Sequence, residues 1–167
     1  QVQGQSPLTV FNSTFSGNTA SSAMGGALLC QLCIVNVTNS TFSGNTAVNG
    51  GALTVDGPLT IVNSTFQGNA ASKGAAIYKT DDITTISNST FVDNTASNIA
   101  QIYSYNIRII SNSIFSGPYG VCAPDALTNL TDGGYNLFTE PSCAFSATGS
   151  QQVTAQQLNM GALANNG

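Results

Sequence analysis

The chain has 167 residues, of which the only charged ones are Lys73, Lys79 and Arg108 against Asp56, Asp81, Asp82, Asp93, Asp125, Asp132 and Glu140, for a formal net charge of −4. So few cations exclude a nucleic-acid partner, because neutralising phosphates takes clustered lysine and arginine. The length fits one domain with material for a core, and no apolar run is long enough for a membrane-spanning helix.

Residues 1–7 are polar and carry no helical pattern. No charged segment followed by an apolar one opens the chain, so any signal peptide is expected to have been removed, with Gln1 a mature or trimmed terminus. From Leu8 a phrase recurs: Asn12-Ser-Thr-Phe15, Asn39-Ser-Thr-Phe42, Asn63-Ser-Thr-Phe66 and Asn88-Ser-Thr-Phe91, echoed by Asn112-Ser-Ile-Phe115. Its starts are 27, 24, 25 and 24 residues apart. A second Asn follows each of the first four copies (Asn18, Asn45, Asn69, Asn94), and then a step of small residues: Gly25-Gly-Ala-Leu28, Gly50-Gly-Ala-Leu53, Gly74-Ala-Ala-Ile77 and the decayed Ile99-Ala-Gln-Ile102.

A fixed period of this length signals a solenoid. Each unit holds three short β-prone runs with period-2 alternation, as in Leu59–Val62, Ser64–Gln67 and Ala75–Tyr78, and no stretch carries sustained helical periodicity. The reading is an all-β, right-handed parallel β-helix of about five to six coils, with residues 1–115 forming coils. Residues 116–167 form a degenerate last coil and a disulfide-clamped cover. Stacked at the inter-strand spacing, equivalent residues form ladders. These are Val10/Val37/Ile61/Ile86/Ile110, Phe15/Phe42/Phe66/Phe91/Phe115, and a third wall of Ala27, Ala52 and Ala76 with Leu28, Leu53, Ile77 and Ile102. Two asparagine ladders, Asn12/39/63/88/112 and Asn18/45/69/94, are expected at the corners with their amides bonding inside. The 24-residue spacing from Asn112 to Asn136 continues the first of them.

Four cysteines in a nearly uncharged chain point to an oxidising, extracellular setting. Cys30-Gln-Leu-Cys33 reads as a local staple or two separate thiols; a metal site would need further soft ligands, and there is no histidine. No metal or cofactor is expected. Cys122 and Cys143 are expected to pair and clamp the loop carrying Gly133-Gly-Tyr135.

Phe-x-x-Asn followed by Gly-Gly-Ala-Leu, over about residues 8–103, resembles the repeats of chlamydial polymorphic outer-membrane proteins. The stretch Cys122-Ala-Pro-Asp125, Gly134-Tyr-Asn-Leu137, Cys143-Ala-Phe145 and Leu163-Ala-Asn-Asn-Gly167 resembles the tail of bacterial choice-of-anchor surface proteins. These resemblances imply a β-helix outside the cytoplasm; the first family consists of autotransported adhesins.

Parallel β-helices also host polysaccharide lyases and hydrolases. A lyase needs a basic proton abstractor and cations, and a hydrolase needs two carboxylates set apart. Arg108 near Asp81-Asp82 reads as a surface ion pair, and Asp93 stands where other repeats carry glycine. No catalytic residue is expected. Tyr78 and Tyr103 should stack outward in successive coils with Tyr105 near them, a row suited to sugar rings and so to cell-surface glycans. The outward Thr14/41/65/90 column, flanked by Ser16, Ser43 and Gln67, offers a third reading, ice binding. Of the Asn-x-Ser/Thr sequons, Asn36 and Asn129 are the glycosylation candidates, since the others coincide with the corner ladder. The expected function is a secreted or cell-surface structural protein of adhesive type, self-associating through its ends and even stacking head-to-tail into a filament. The runner-up is a carbohydrate-binding or carbohydrate-cleaving β-helix.

Overall fold

A computed structural model describes residues 2–3, 7–80, 83–118, 120–122 and 130–160. It is a parallel β-helix with four walls. Wall one stacks Leu8–Phe11, Val35–Thr38, Leu59–Val62, Thr84–Ser87, Ile107–Ser111 and Thr131–Asp132. Wall two stacks Thr14–Ser16, Thr41–Ser43, Thr65–Gln67, Thr90–Val92, Ile114–Ser116, Leu137–Phe138 and Gln151–Gln152. Wall three is Thr19–Met24, Thr46–Asn49, Ala70–Lys73 and Thr95–Ile99. Wall four is Val2–Gln3, Leu28–Gln31, Leu53–Asp56, Ile77–Lys79 and Ile102–Tyr103. Two features differ from the sequence reading. Each of the first four coils has a fourth β run, wall three, and Val2–Gln3 already pairs with Cys30–Gln31 ahead of coil one.

The apolar ladders lie as the period requires. Val10, Val37, Ile61, Ile86 and Ile110 are in register on wall one and buried. The five phenylalanines of wall two stack with centroids 4.7–5.0 Å apart and ring planes within 15°. Leu28, Leu53, Ile77 and Ile102 align on wall four. Removing these faces from water is the main favourable term for stacking, since no single coil can bury its own. At the turn into wall four the coils pass so closely that a Cβ at Gly26 or Gly51 would collide with backbone carbonyls of the next coil.

The corners differ from the expectation at one column. Asn12, Asn39, Asn63, Asn88 and Asn112 adopt left-handed φ of 47–51° and their side chains are exposed. A left-handed residue turns the chain through the corner, and the residue after it faces inward. That residue is Ser13, Ser40, Ser64, Ser89 or Ser113, and the serines form the inner ladder. Each after Ser13 accepts from the backbone N–H of the serine one coil earlier at 3.1–3.2 Å. Each also donates to the carbonyl two residues back at 2.7–2.9 Å. Asn136 continues this serine column, accepting from Ser113 N–H at 3.0 Å. It is therefore Tyr135, at φ 58°, that stands where Asn112 stands one coil earlier.

The second column is an asparagine ladder, as expected, buried at Asn45, Asn69 and Asn94. The backbone N–H and Nδ2 of Asn18, Asn45 and Asn69 all donate to Oδ1 of the asparagine one coil on, at 2.9–3.1 Å. The amides of Asn45, Asn69 and Asn94 also reach the carbonyls of Phe15, Phe42 and Phe66. Gln101 closes the ladder by accepting from Asn94 Nδ2 at 3.2 Å. Lys79 faces inward in register with Val55; it is fully buried, and its ammonium donates to the Gly57 carbonyl.

Beyond Phe115 a cover forms. Disulfides join Cys122 to Cys143 and Cys30 to Cys33, settling the alternatives for the latter as a local staple. Phe145 packs on Phe115 and Phe138. The short helix Ala155–Leu158 begins at a Thr154/Gln157 capping box. Asp132 ties the cover together. Its Oδ1 accepts from Gly134 N–H, Asn136 Nδ2 and Ser150 Oγ at 2.8–2.9 Å. Its Oδ2 accepts from the amides of Ser146 and Ala147 at 2.7 and 2.6 Å. Burial raises the acid's pKa, but hydrogen bonds from Ala147, Gly134, Ser150 and Asn136 outweigh it and hold the carboxyl below the usual aspartate value.

Three expectations follow from this geometry. Asn69→Ala strips the acceptor from Asn45 and the donor from the Phe42 carbonyl, so denaturant unfolding should show a loss of about 1–3 kcal/mol for each group left bare. Asn63→Gly, exposed at φ 50°, should change stability by no more than about 0.5 kcal/mol. Because Asp132 is more acidic folded than unfolded, its contribution is complete above the unfolded pKa and is lost as pH falls through the folded value. Wild type should therefore exceed Asp132→Asn in stability at neutral pH, and titrating unfolding against pH should show the gap closing in acid.

Candidate functional site

Outward residues on wall four form a column in register: Leu29, Thr54, Tyr78, Tyr103. Strand alternation puts them opposite the core residues Leu28, Leu53, Ile77 and Ile102. The Tyr78 and Tyr103 rings stack at 5.1 Å and 7°. Tyr105 meets Tyr103 edge-on at 5.4 Å, with the two hydroxyls 2.6 Å apart. The Lys73 ammonium sits 5.5 Å from the Tyr103 centroid. The structure thus brings the three tyrosines together, but not as an exposed row. Tyr103 is only 6% exposed, Tyr78 is half-buried and Tyr105 is exposed.

On the side of Tyr78 away from Tyr103 lies a recess of about 190 Å³. It is lined by Met24, Leu29, Thr54, Tyr78, Asp56 and Thr80, with Gln31 and Val55 completing the lining. Leu29 and Thr54 form its floor, and Thr54 Oγ1 is engaged with the Asn49 carbonyl at 3.2 Å. Asp56, in register with Gln31, stands with Thr80 on the polar rim. Met24 comes from the end of the wall-three strand, so the recess lies where two walls meet. The sequence points to the tyrosines through their repeat position. Leu29, Thr54 and Asp56 share wall four with the tyrosines, but the sequence gives no sign of Met24 at a site, because its approach depends on wall three.

The threonine column Thr14/41/65/90 is in register on the outer face of wall two, with Ser16, Ser43 and Gln67 beside it. Ser43 Oγ donates to Ser16 Oγ at 3.1 Å. Glycines 17, 44 and 68 line a shallow trough next to it that ends at Asp93, whose φ is 53°. The other described carboxylates are dispersed: Asp56 at the recess, Asp132 in the cover, Glu140 beside the Pro141–Cys143 turn. Asp81, Asp82, Asp125, Asn129 and the Arg108 side chain lie outside the described residues, and with them the expected Arg108 ion pair. Asn36 is half-buried on the outer face of wall one. The exposed αL column corrects the reason for setting the other sequons aside, since those asparagines do not point inside.

Among the described residues no helix is long and apolar enough to cross a membrane. Comparison with curated proteins and with solved structures finds no match. A family model described as "Periplasmic copper-binding protein (NosD)" matches residues 4–155. That span covers the coils of all four walls and most of the cover. The chain belongs to the NosD family of β-helix proteins.

Proposed function

We propose that this chain is a non-enzymatic structural β-helix of adhesive type, secreted or displayed at the cell surface, and that its ends mediate head-to-tail self-association into a filament. The two disulfides and a family described as periplasmic fit an oxidising, extracytoplasmic setting. The resemblance to polymorphic outer-membrane repeats and choice-of-anchor tails supports the surface assignment. Dispersal of the described carboxylates supports the non-enzymatic part, and Asp132 is saturated with five hydrogen bonds.

The observation that carries the proposal is wall two. Among the described residues it is the longest wall, and its outermost strands, Thr14–Ser16 and Gln151–Gln152, each pair on one side only. The amides of Gln151 and Val153 bond the Asn136 and Phe138 carbonyls, so alternation turns the Gln152 N–H to the free side. Asn18 is exposed and directs its backbone N–H and Nδ2 to Asn45 Oδ1, so its own Oδ1 occupies the position that accepts from a preceding rung at Asn45 and Asn69. Joining Gln151–Gln152 of one copy to Thr14–Ser16 of the next continues wall two across a heterologous, non-closing contact.

The copper of the family description does not fit this chain's donors. Copper sites draw on imidazole, thiolate and thioether. There is no histidine, all four cysteines are in disulfides, and Met24 and Met160 lie at opposite ends of the stack. Among the described residues no three His, Cys, Asp or Glu side chains cluster.

Sedimentation and negative-stain microscopy of the oxidised protein should show axial oligomers that Gln152→Pro dissolves; compact monomers at every concentration overturn the proposal. Titration of the oxidised protein with copper against a competing chelator should show no stoichiometric tight binding.

A further inference from the structure

We propose that the recess beside Tyr78 is a subsite for one neutral pyranose ring of an extracellular glycan, inserted where the outward column of wall four lacks an aromatic rung. The proposal rests on the adhesive reading and gives it a ligand class. The column reads Tyr103, Tyr78, Thr54, Leu29. Two successive coils carry stacked rings, the third carries a short side chain, and the fourth carries an aliphatic one. Two coil steps separate Tyr78 from Leu29, about 10 Å at the inter-strand spacing. That gap has room for one flat ring above Thr54.

The surroundings select the chemistry of that ring. One face of Tyr78 is taken up by Tyr103 at 5.1 Å, and the other lines the recess with Leu29 and Met24. A flat aromatic face packs well against the C–H face of a sugar ring. Asp56 and Thr80 stand on one side, so a ligand with a C–H face and a hydroxyl edge is matched on both. A purely apolar ring would leave that carboxylate facing hydrocarbon, which is costly. Asp56 and a net charge of −4 disfavour uronates, so the sugar is uncharged.

The rest of the column preorganises the site. Tyr103 is fixed by Tyr105 through the 2.6 Å hydroxyl contact and by the Lys73 ammonium over its ring. It therefore holds Tyr78 from behind, and little side-chain freedom remains to be lost on binding.

Saturation-transfer NMR with neutral oligosaccharides of glucan, mannan, galactan and xylan tests the subsite. The chain has five tyrosines and no tryptophan, so tyrosine fluorescence gives a second readout. Wild type is expected to contact ring C–H protons of at least one of these sugars. Thr54→Tyr supplies the missing rung, so it should weaken that contact roughly tenfold or more, with a cooperative thermal transition showing that the variant is folded although the Thr54–Asn49 bond is lost. Asp56→Ala should weaken it severalfold with the tyrosine stack intact. No contact with any neutral sugar, contact unchanged by Thr54→Tyr, or preference for a uronate would overturn the proposal. Self-association is measured separately by sedimentation. A protein that assembles but ignores sugars overturns the subsite alone.

Discussion

A buried carboxamide brings two N–H donors and an oxygen that must all be bonded. In Asn45 and Asn69 every partner of that group lies one coil away in one direction or the other. The amide takes the next asparagine's oxygen and a phenylalanine carbonyl of the coil before, while its own oxygen receives two donors from the previous rung. The arrangement is satisfied only if successive coils present the same residue at the same height. A rung that slips sideways by one residue leaves buried polar groups bare, which is among the costliest errors available to a core. The asparagine ladder thus fixes register, and the phenylalanine stack and the aliphatic walls are aligned within it.

The ends solve a different problem, because a ladder must stop. At the cover the chain supplies substitutes: Gln101 stands in for an asparagine rung and Asn136 for a serine rung. Asp132 gathers amides from a loop that has left the repeat. At the first coil the described residues supply no such substitute for walls one to three, and Asn18 is exposed. The two described ends are therefore chemically unlike, as a heterologous, head-to-tail contact requires.

Much of this was legible in the sequence. The period predicted the coils, and the phenylalanine and aliphatic ladders fall at the expected residues. The corner was harder. Asn and Ser are adjacent and both suit turns, and only the left-handed φ at the asparagine shows which of them faces inside. Wall three was not legible because Thr19–Met24, Thr46–Asn49, Ala70–Lys73 and Thr95–Ile99 are small and polar, without apolar alternation. The tyrosine stack could be read from the repeat, but the burial of Tyr103 could not. Its covering partners, Lys73 and Tyr105, come from outside the column. Asp132 gave no sign either, since its donors are loop amides and side chains that only the folded cover gathers.

From rung to rung the serine and asparagine ladders run one way: each backbone N–H is handed forward to the side-chain oxygen of the next rung. Each coil consequently has the same input and the same output. Asn69 meets Asn94 across 25 residues through bonds equivalent to those by which Asn45 meets Asn69. Excising one full period would leave Asn45 facing Asn94 with the ladder's own bonds still matched, and inserting one would be equally neutral to the ladder. Coil number is then a length dial to which the ladder is indifferent, so that reach and cover are set independently.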